Sequence, residues 1–320
     1  MLVVSDALHE PSPPRGLIAT IGNYDGIHRG QQRVLDLVKG RALETGLKAA
    51  VITFEPHPRS VLMPDRPVDL LTTKEEKEAL LDKAGMDVVA IVRFTPELSR
   101  TPARTFVRDF LHRRLDVREV YVGSNFVFGH NRGGDLSLLR QMGDSFGFSA
   151  FAVDEVVHDG EVVSSTRIRA ALRAGEVMAA EALLGRPYSI RGLVARGEGV
   201  GRKLGFRTAN LVHENTLLPE NGVYACRMSV SSGEGSYDAV ANIGTRPTLY
   251  EESRRIVEAH LLDFDRDIYG ERAELQFLER LREERAFPTI IDLAEQIGRD
   301  VDLARECLRK HPEPSVRSSI

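Results

Sequence analysis

The sequence predicts two domains: an N-terminal α/β domain built on a parallel sheet, and a C-terminal antiparallel sheet or small barrel that ends in a helix. The chain has 320 residues, which corresponds to about two domains of roughly 150 residues each. Strand-like and helix-like segments alternate in the first half. The pattern changes at Gly185-Arg186-Pro187, after which strand-like segments are separated by Gly, Asn and Pro. We therefore expect domains at residues 1–185 and 186–312, followed by a flexible tail at 313–320.

The N-terminal half contains short apolar runs bounded by turn residues, and segments of helical periodicity follow them. Apolar runs of this length are typical of strands buried on both faces. Strands that alternate with helices form βαβ units, in which helices cover both faces of a parallel sheet. The predicted strands are 17–21, 49–54, 88–94, 119–123 and 148–153, and the predicted helices lie at 34–38, 73–84, 101–115, 136–142, 165–174 and 176–184.

The C-terminal half has β character from residue 188 onward, which favours an antiparallel sheet or small barrel. Its predicted strands are 188–195, 222–231, 236–243, 255–264 and 272–278. A last segment, 289–308, has apolar residues at helical spacing and predicts a terminal helix. The apolar stripe of that helix consists of Ile290, Leu293, Ile297, Val301 and Leu308.

Composition and charge exclude several classes of protein. Hydrophobic residues make up 42% and charged residues 28%, so each half can bury a core and disorder does not fit. The formal net charge of −4 argues against a nucleic-acid-binding surface. We expect no signal peptide and no membrane span, because the start lacks a basic and apolar leader and no run of about 18 apolar residues occurs. Cys226 and Cys307 form no metal or redox pattern, so we expect a cytoplasmic protein.

The segment Gly22-Asn23-Tyr24-Asp25-Gly26-Ile27-His28-Arg29-Gly30 follows the first predicted strand and precedes a helix. Its glycines let the backbone approach a ligand, and the helix N-terminus offers unpaired N–H groups to phosphate. His28 could donate to a phosphoryl oxygen in a transition state. An ordinary glycine-rich turn with a surface histidine explains the same residues equally well. No lysine stands in a GxxxxGK[ST] pattern, so ATP would be bound without that phosphate loop.

This segment resembles the GxFDGxHxGH motif of the bifunctional bacterial riboflavin kinase/FMN adenylyltransferase family, often called FAD synthetase. The chain keeps the first histidine of the motif as His28 but has Gln31 in place of the second. A glutamine amide can donate a hydrogen bond, but it cannot carry positive charge. We therefore expect adenylylation to survive at a reduced rate.

Four further segments of the first half are similar to motifs of the same family: 53–58 (TFEPHP), 71–77 (LTTKEEK), 123–129 (GSNFVFG) and 164–169 (SSTRIR). The resemblance implies a Rossmann-like nucleotidyltransferase domain in which His28 is catalytic. It implies ATP and phosphate contacts at Gly22, Asp25, Gly26, Gly30, Gln31, Asn125, Ser164, Thr166 and Arg167. It implies flavin contacts at Phe54, His57, Asn125 and Phe128.

In the second half, 201–211 (GRKLGFRTANL) resembles the riboflavin kinase loop of the family, with Arg207 where the family has proline. The segments 242–248 (NIGTRPT) and 257–264 (VEAHLLDF) are also similar to kinase motifs. The resemblance implies that Glu258 is the catalytic base and that Thr208 and Asn210 bind Mg²⁺. It implies further ATP contacts at Gly201, Lys203, Thr208 and Asn210, and further flavin contacts at Arg246 and Thr248.

The resemblance implies two consecutive reactions on small-molecule substrates. Riboflavin would be phosphorylated by ATP to FMN, and FMN would then be adenylylated by a second ATP to FAD with release of pyrophosphate. Mg²⁺ would accompany the nucleotide. No nucleic acid or membrane partner is expected, and a homo-oligomer is left open.

Three other functions stay open. The chain could be a riboflavin kinase whose adenylyltransferase activity is weakened or lost through Gln31. It could be a specialised paralog that acts on a flavin analogue or another nucleotide. It could also be a flavin-binding regulator without turnover, although Glu258, Thr208 and Asn210 together argue against that, since a binder needs no base. The residues alone leave the effects of Gln31 and Arg207, flavin specificity, oligomeric state and rates undetermined.

Overall fold

The computed structural model describes residues 1–10, 14–196, 206, 208–233, 235–246 and 254–312. The chain forms two compact units, Met1–Ser165 and Thr166–Ile320. The expected tail at 313–320 lies outside the described residues. Among the described residues, every helix is too short or too polar to span a lipid bilayer.

The first unit contains a six-stranded sheet in the order β1-β4-β3-β2-β5-β8, in which all neighbouring strands are parallel. Every residue of β2 is buried, as expected for a strand covered on both faces. The predicted parallel α/β architecture is therefore confirmed. The strands of this unit are β1 (Leu2–Val4), β2 (Leu17–Ile21), β3 (Lys48–Glu55), β4 (Val88–Arg93), β5 (Val117–Gly123), β6 (Val127–Phe128), β7 (Gly134–Asp135), β8 (Ser149–Val153), β9 (Val157–His158) and β10 (Glu161–Val162).

Helices connect the parallel strands and cover the sheet. The predicted helix at 101–115 takes an unexpected form, because its main part, Phe106–Arg114, is a π-helix that follows one short α-turn. Phe106, Phe110 and Leu111 are buried on its inner side. The α-helices up to residue 184 are α1 (Arg29–Thr45), α2 (Pro58–Leu62), α3 (Lys74–Lys83), α4 (Pro96–Ser99), α5 (Ala103–Thr105), α6 (Leu136–Phe146), α7 (Ser165–Arg173) and α8 (Val177–Leu184).

The strand order creates a crevice at the end of β2. From β2 the chain first builds one side of the sheet with β3 and β4, and later the other side with β5 and β8. The helices that leave β2 and β5 therefore lie on opposite faces, and a gap opens beyond the carboxyl ends of these two strands. Ligands of open parallel sheets bind at this kind of position.

The second unit contains a closed barrel in the order β11-β12-β15-β14-β13-β16, with antiparallel pairing throughout. Closure leaves no unpaired edge strand. The barrel confirms one of the two predicted forms of this half. Its strands are β11 (Tyr188–Ala195), β12 (Ala209–His213), β13 (Gly222–Val230), β14 (Ser236–Arg246), β15 (Arg254–Leu261) and β16 (Arg272–Arg282).

The terminal helix, α9 (Ile290–Lys310), packs on the barrel through a stripe that differs in part from the predicted one. Of the predicted residues, Leu308 is buried and Val301 packs against the same core. The buried residues of α9 are Gln296, Asp300, Ala304 and Leu308, whereas Ile290 is 56% exposed. The polar residues are buried because they have partners. The Arg282 guanidinium donates to both Asp300 carboxylate oxygens at 2.9 and 2.7 Å, and Gln296 Nε2 donates to Asp300 at 2.8 Å.

The predicted domain boundary at residue 185 stays a prediction, and the structure suggests a sharper experiment. The boundary between the two units falls in the chain at the start of α7. Within the second unit, the Glu220 N–H donates to the Leu172 carbonyl oxygen at 2.9 Å. Helix α8 packs on β11 and β16. We therefore expect that a fragment 166–320 is more stable than a fragment 186–320, which loses these contacts. Thermal midpoints of the two fragments test this, and equal midpoints would show that α7 and α8 add nothing to the barrel.

Candidate functional site

The motifs of the first unit lie at one edge of its parallel sheet. Gly22 directly follows β2, His57 follows β3 and Asn125 follows β5. Because parallel strands end at the same edge, the three loops lie at the crevice beyond the carboxyl ends. The fold thus brings candidate residues that are far apart in the sequence to the edge of the sheet where parallel sheets bind ligands.

Two hydroxyl groups attach the loop between β2 and α1 to neighbouring motifs. Thr53 in β3 donates through Oγ1 to the Asn23 carbonyl oxygen at 3.1 Å. Ser165 donates through Oγ to the Asp25 carbonyl oxygen at 2.9 Å. The segments 53–58 and 164–169, which the sequence places far from this loop, therefore hold its backbone directly.

The Asp25 carboxylate is 2% exposed and is occupied by backbone donors. Its Oδ1 accepts the N–H groups of Leu71 at 2.9 Å and Thr72 at 3.3 Å. The Thr72 hydroxyl in turn accepts from the Gly26 N–H at 3.3 Å. These contacts favour a role for Asp25 and Gly26 in holding the loop, and their expected contact with phosphate stays a prediction.

The loop backbone takes a strained path. Tyr24 and Ile27 have φ values of 48° and 43°, in the left-handed region that side chains usually avoid. The Tyr24 hydroxyl, which is buried, lies 2.7 Å from Thr20 Oγ1. Burial raises the pKa of Tyr24 well above its usual range, so the ring stays neutral beneath the loop.

His28 and Gln31 form a reciprocal cap at the start of α1. His28 occupies the N-cap position and is 8% exposed. Its Nδ1 accepts the Gln31 N–H at 3.4 Å, and Gln31 Oε1 accepts the His28 N–H at 3.1 Å. Gly30 allows this arrangement, because a Cβ there would lie 3.2 Å from Cε1 of the His28 ring.

The candidate flavin residues of the first unit are aromatic groups near the same loops. Phe54 is half-buried and packs edge-to-face on Phe94, with ring centroids 5.9 Å apart. Phe128 stacks on Phe126 at 5.5 Å. The structure places both aromatic pairs near carboxyl ends of the sheet, and their contact with flavin stays a prediction.

The polar candidates differ in their surroundings. His57 is the N-cap of α2, and its Nδ1 accepts the Arg59 N–H at 3.2 Å. Asn125 is exposed, and its Nδ2 donates to Glu155 Oε1 at 2.9 Å. Ser164 ends the first unit together with Ser165, whereas Thr166 and Arg167 open the second unit on the first turn of α7. The phosphate contacts expected of Ser164, Thr166 and Arg167 stay predictions.

In the barrel, three polar residues form a row across three strands. Glu258 of β15 is paired with Asn210 of β12 on one side and with Asn242 of β14 on the other. Residues directly opposite one another on antiparallel strands point to the same face, with Cβ atoms about 4.5–5.5 Å apart. The Glu258 carboxylate is therefore flanked by two amides. We call these three residues the polar row.

The polar row lies on the outer face of the barrel. Val257 and Ala259 are fully buried, whereas Glu258 and His260 are half-buried, as strand alternation predicts. The Phe206 ring packs edge-to-face on His260, with centroids 5.5 Å apart. This contact holds residue 206, two positions before Thr208, beside the face that carries Glu258.

The remaining kinase candidates are described only in part. Thr208 is half-buried and lies immediately before β12. Arg246 ends β14. Gly201, Lys203 and Thr248, like Arg207, lie outside the described residues.

Two residues that the sequence did not single out complete this face. Asn242 belongs to the polar row. Glu284 lies over Gly244, where a Cβ would meet Glu284 Oε1 at 2.2 Å, and Glu284 Oε2 accepts from Asn221 Nδ2 at 3.1 Å. Gly244 is two residues from Asn242 on the same strand face, so a second carboxylate lies close to the row. The sequence signals for them were the segment 242–248, which contains Asn242 and Gly244, and the run 282–287, which also resembles the family and contains Glu284.

Two family models match consecutive parts of the chain, FAD synthetase at residues 10–167 and riboflavin kinase at residues 184–308. The bifunctional riboflavin kinase/FMN adenylyltransferase of Escherichia coli (strain K12) is 37% identical over 295 residues, which cover 92% of this chain and 94% of that protein. The chain belongs to the bifunctional riboflavin kinase/FMN adenylyltransferase family. The family member from Pseudomonas fluorescens is 40% identical over 300 residues, which cover 93% of this chain and 95% of that protein.

A solved structure, described as a macrolide-efflux protein from Streptococcus pneumoniae, matches with a TM-score of 0.84 and 26% sequence identity. The match covers 95% of this chain and 98% of that chain. The match shows that the two chains share a fold over nearly their whole length. The activity in the printed description is that of the matched protein. The family resemblance predicted from the motifs is thus confirmed.

Substitutions of the buried Asp25 test whether its carboxylate holds the loop in place. Asp25→Ala leaves the Leu71 and Thr72 N–H groups without this acceptor, and a buried unsatisfied donor costs about 1–3 kcal/mol. Asp25→Asn keeps an acceptor oxygen and should be nearly neutral. We expect faster amide exchange at Leu71 and Thr72 and a lower thermal midpoint in the alanine variant only. The exposed Asp144→Ala in α6 is the matched control, and an equal loss in it would contradict the anchoring role.

Proposed function

We propose that this chain phosphorylates riboflavin to FMN in its barrel and adenylylates FMN to FAD in its α/β unit, with one ATP consumed in each step. The observation that supports both steps is the order of the two family matches, each of which covers a unit with its own polar centre. In the first unit this centre is the capped N-terminus of α1, and in the second it is the polar row.

In the kinase step, Glu258 accepts the proton of the riboflavin 5′-hydroxyl as that oxygen attacks the γ-phosphorus of ATP. A bond forms between the flavin oxygen and the γ-phosphorus, the bond to the β-phosphate oxygen breaks, and ADP leaves. Asn210 and Asn242 flank Glu258 through strand register, so the base is held on rigid elements. Phosphoryl transfer depends mainly on positioning and electrostatics, which this arrangement supplies.

Magnesium is part of the proposal. Thr208 and Asn210 would hold it together with the ATP phosphates, because hydroxyl and amide oxygens suit a hard cation that takes few protein ligands. No cluster of three His, Cys, Asp or Glu that could hold a metal occurs among the described residues. When bound, the ion neutralises negative charge on the phosphates.

In the adenylyl step, an FMN phosphate oxygen attacks the α-phosphorus of the second ATP, and pyrophosphate leaves. No protein nucleophile is required. The first turn of α1 presents the positive end of the helix dipole to negative charge, and it contains no acidic residue. His28, Asn125 and Arg167 add hydrogen-bond donors for the phosphates, and Phe54, His57 and Phe128 contact the flavin.

Further parts of the proposal rest on the family alone. Arg246 and Thr248 contact the flavin in the kinase step, and Gly201 and Lys203 contact ATP. A cytoplasmic location fits the cellular supply of ATP. A homo-oligomer stays open.

Incubation of the full chain with riboflavin, ATP and Mg²⁺, followed by chromatographic separation of the flavins, tests both activities. We expect FMN to appear first and FAD to follow. A parallel reaction that starts from FMN isolates the second step. FMN without FAD in both reactions would reduce the function to a riboflavin kinase, and unchanged riboflavin would contradict the kinase step.

The role of Glu258 is tested with Glu258→Gln, which keeps the shape but removes the base. Loss of a general base costs about 10²–10⁴-fold, so FMN formation should fall by that amount. FAD formation from supplied FMN should not change, because that step uses the other unit. Glu306→Gln, on the exposed side of α9, is the matched control. Near-normal kinase turnover in Glu258→Gln would show that another group is the base.

A further inference from the structure

The residue that departs from the family motif has a defined structural role. Gln31 is the third residue of α1, and its side-chain oxygen accepts the His28 N–H at 3.1 Å. In the usual capping box this position is glutamate or glutamine, and the N-cap residue is serine or threonine. Here the N-cap residue is His28, so the helix cap and the candidate catalytic histidine are the same group.

We propose that Gln31 is a positioning residue for adenylyl transfer, which caps α1 and orients His28 without placing negative charge beside the phosphates. This inference rests on the proposed adenylyltransferase function of the first unit. Gln31 then has a distinct role, capping α1 and orienting His28, and does not merely replace the family's second histidine with a weaker hydrogen-bond donor.

The hydrogen bond from the backbone N–H of Gln31 sets the tautomer of His28. A neutral imidazole has one donor and one acceptor nitrogen. The Gln31 N–H donates to Nδ1, so the ring proton is on Nε2. Gly30 leaves room for this ring position, since a Cβ there would lie 3.2 and 3.3 Å from Cε1 and Nδ1. His28 is therefore set as an Nε2–H donor.

The first turn of α1 differs in charge from that of a second capped helix in the same unit. Helix α3 has the same reciprocal box, formed by Thr73 and Glu76, and its first turn contains Glu75 and Glu76. Helix α1 has no acidic residue in its first turn. Glutamate stabilises a helix N-terminus through the helix dipole, and it also repels an anion that binds there. The neutral amide of Gln31 keeps the cap and leaves the positive end of α1 available to phosphate.

The test separates capping from charge with two variants of Gln31. Gln31→Glu keeps the accepting oxygen and adds a negative charge. We expect an unchanged fold and a KM for ATP in the adenylyl step that rises about tenfold or more, because like charges are brought together. Gln31→Met removes the acceptor without adding charge. We expect its adenylyl kcat to fall about tenfold or more while KM changes little, because His28 is no longer held in place.

The same chain supplies the controls. Kinase turnover, measured on riboflavin, should be unchanged in both variants and reports that the protein is folded. Gln141→Glu is the matched control for the added charge, because Gln141 is an exposed residue of α6 whose Oε1 accepts from Arg104 at 2.8 Å. Neither adenylyl parameter should change in it.

Nitrogen-15 NMR of labelled histidine gives a readout independent of turnover. The chain has nine histidines, and the His28 signal is identified as the one absent from His28→Gln. We expect the Nε2–H tautomer in the wild type and in both variants, because the N–H group that donates to Nδ1 belongs to the backbone of residue 31 and is present in each of them. An Nδ1–H tautomer in the wild type would overturn the proposal.

The outcomes distinguish this inference from the proposed function. If the wild type forms FAD but both variants keep wild-type kcat and KM, the role of Gln31 is overturned and the adenylyl activity stands. If the wild type converts riboflavin to FMN but forms no FAD even from supplied FMN, the adenylyl step itself is wrong, and the role of Gln31 fails with it.

Discussion

The buried carboxylate of Asp25 is the contact on which the first site depends. It joins the β2–α1 loop to the backbone of Leu71 and Thr72, while Thr53 and Ser165 hold the same loop from other directions. Without these contacts, the left-handed residues Tyr24 and Ile27 would relax to more favourable conformations. The N-terminus of α1 would then lose its fixed direction. Hydrogen bonds from distant segments thus hold a strained loop in one conformation.

The two units build their sites by different means. In the α/β unit, candidate residues come from loops at the carboxyl ends of β2, β3 and β5, and side chain-to-backbone hydrogen bonds hold the loop that carries His28. In the barrel, the pairing register of the strands brings the candidate residues together. Asn210, Glu258 and Asn242 need no loop, since the ladder pairs them across three strands. A side chain on a strand is held more rigidly than one on a loop, which would suit the proton transfer that we propose for Glu258.

Sequence patterns predicted the elements that depend on neighbours along the chain. Strand β11 and the start of α7 have the predicted bounds, because apolar runs and caps are local signals. Several features escaped prediction. Strand β1 has only three residues, β12 was read as part of a loop, and Asp300 is buried in α9 only because Arg282 reaches it. Each depends on a partner elsewhere in the chain, which no local pattern contains.

The sequence by itself determined the family and the two-part architecture, and it supplied the candidate site residues, including His28, Gln31 and Glu258. These follow from residue identity and short spacing. Only the tertiary structure decided that Asp25 faces backbone amides, that Gln31 caps the helix through His28, and that Glu258 is placed between two asparagines. The physical reason is that a polar side chain can satisfy its hydrogen bonds with many partners, and the packed fold selects which of them lies within about 3 Å.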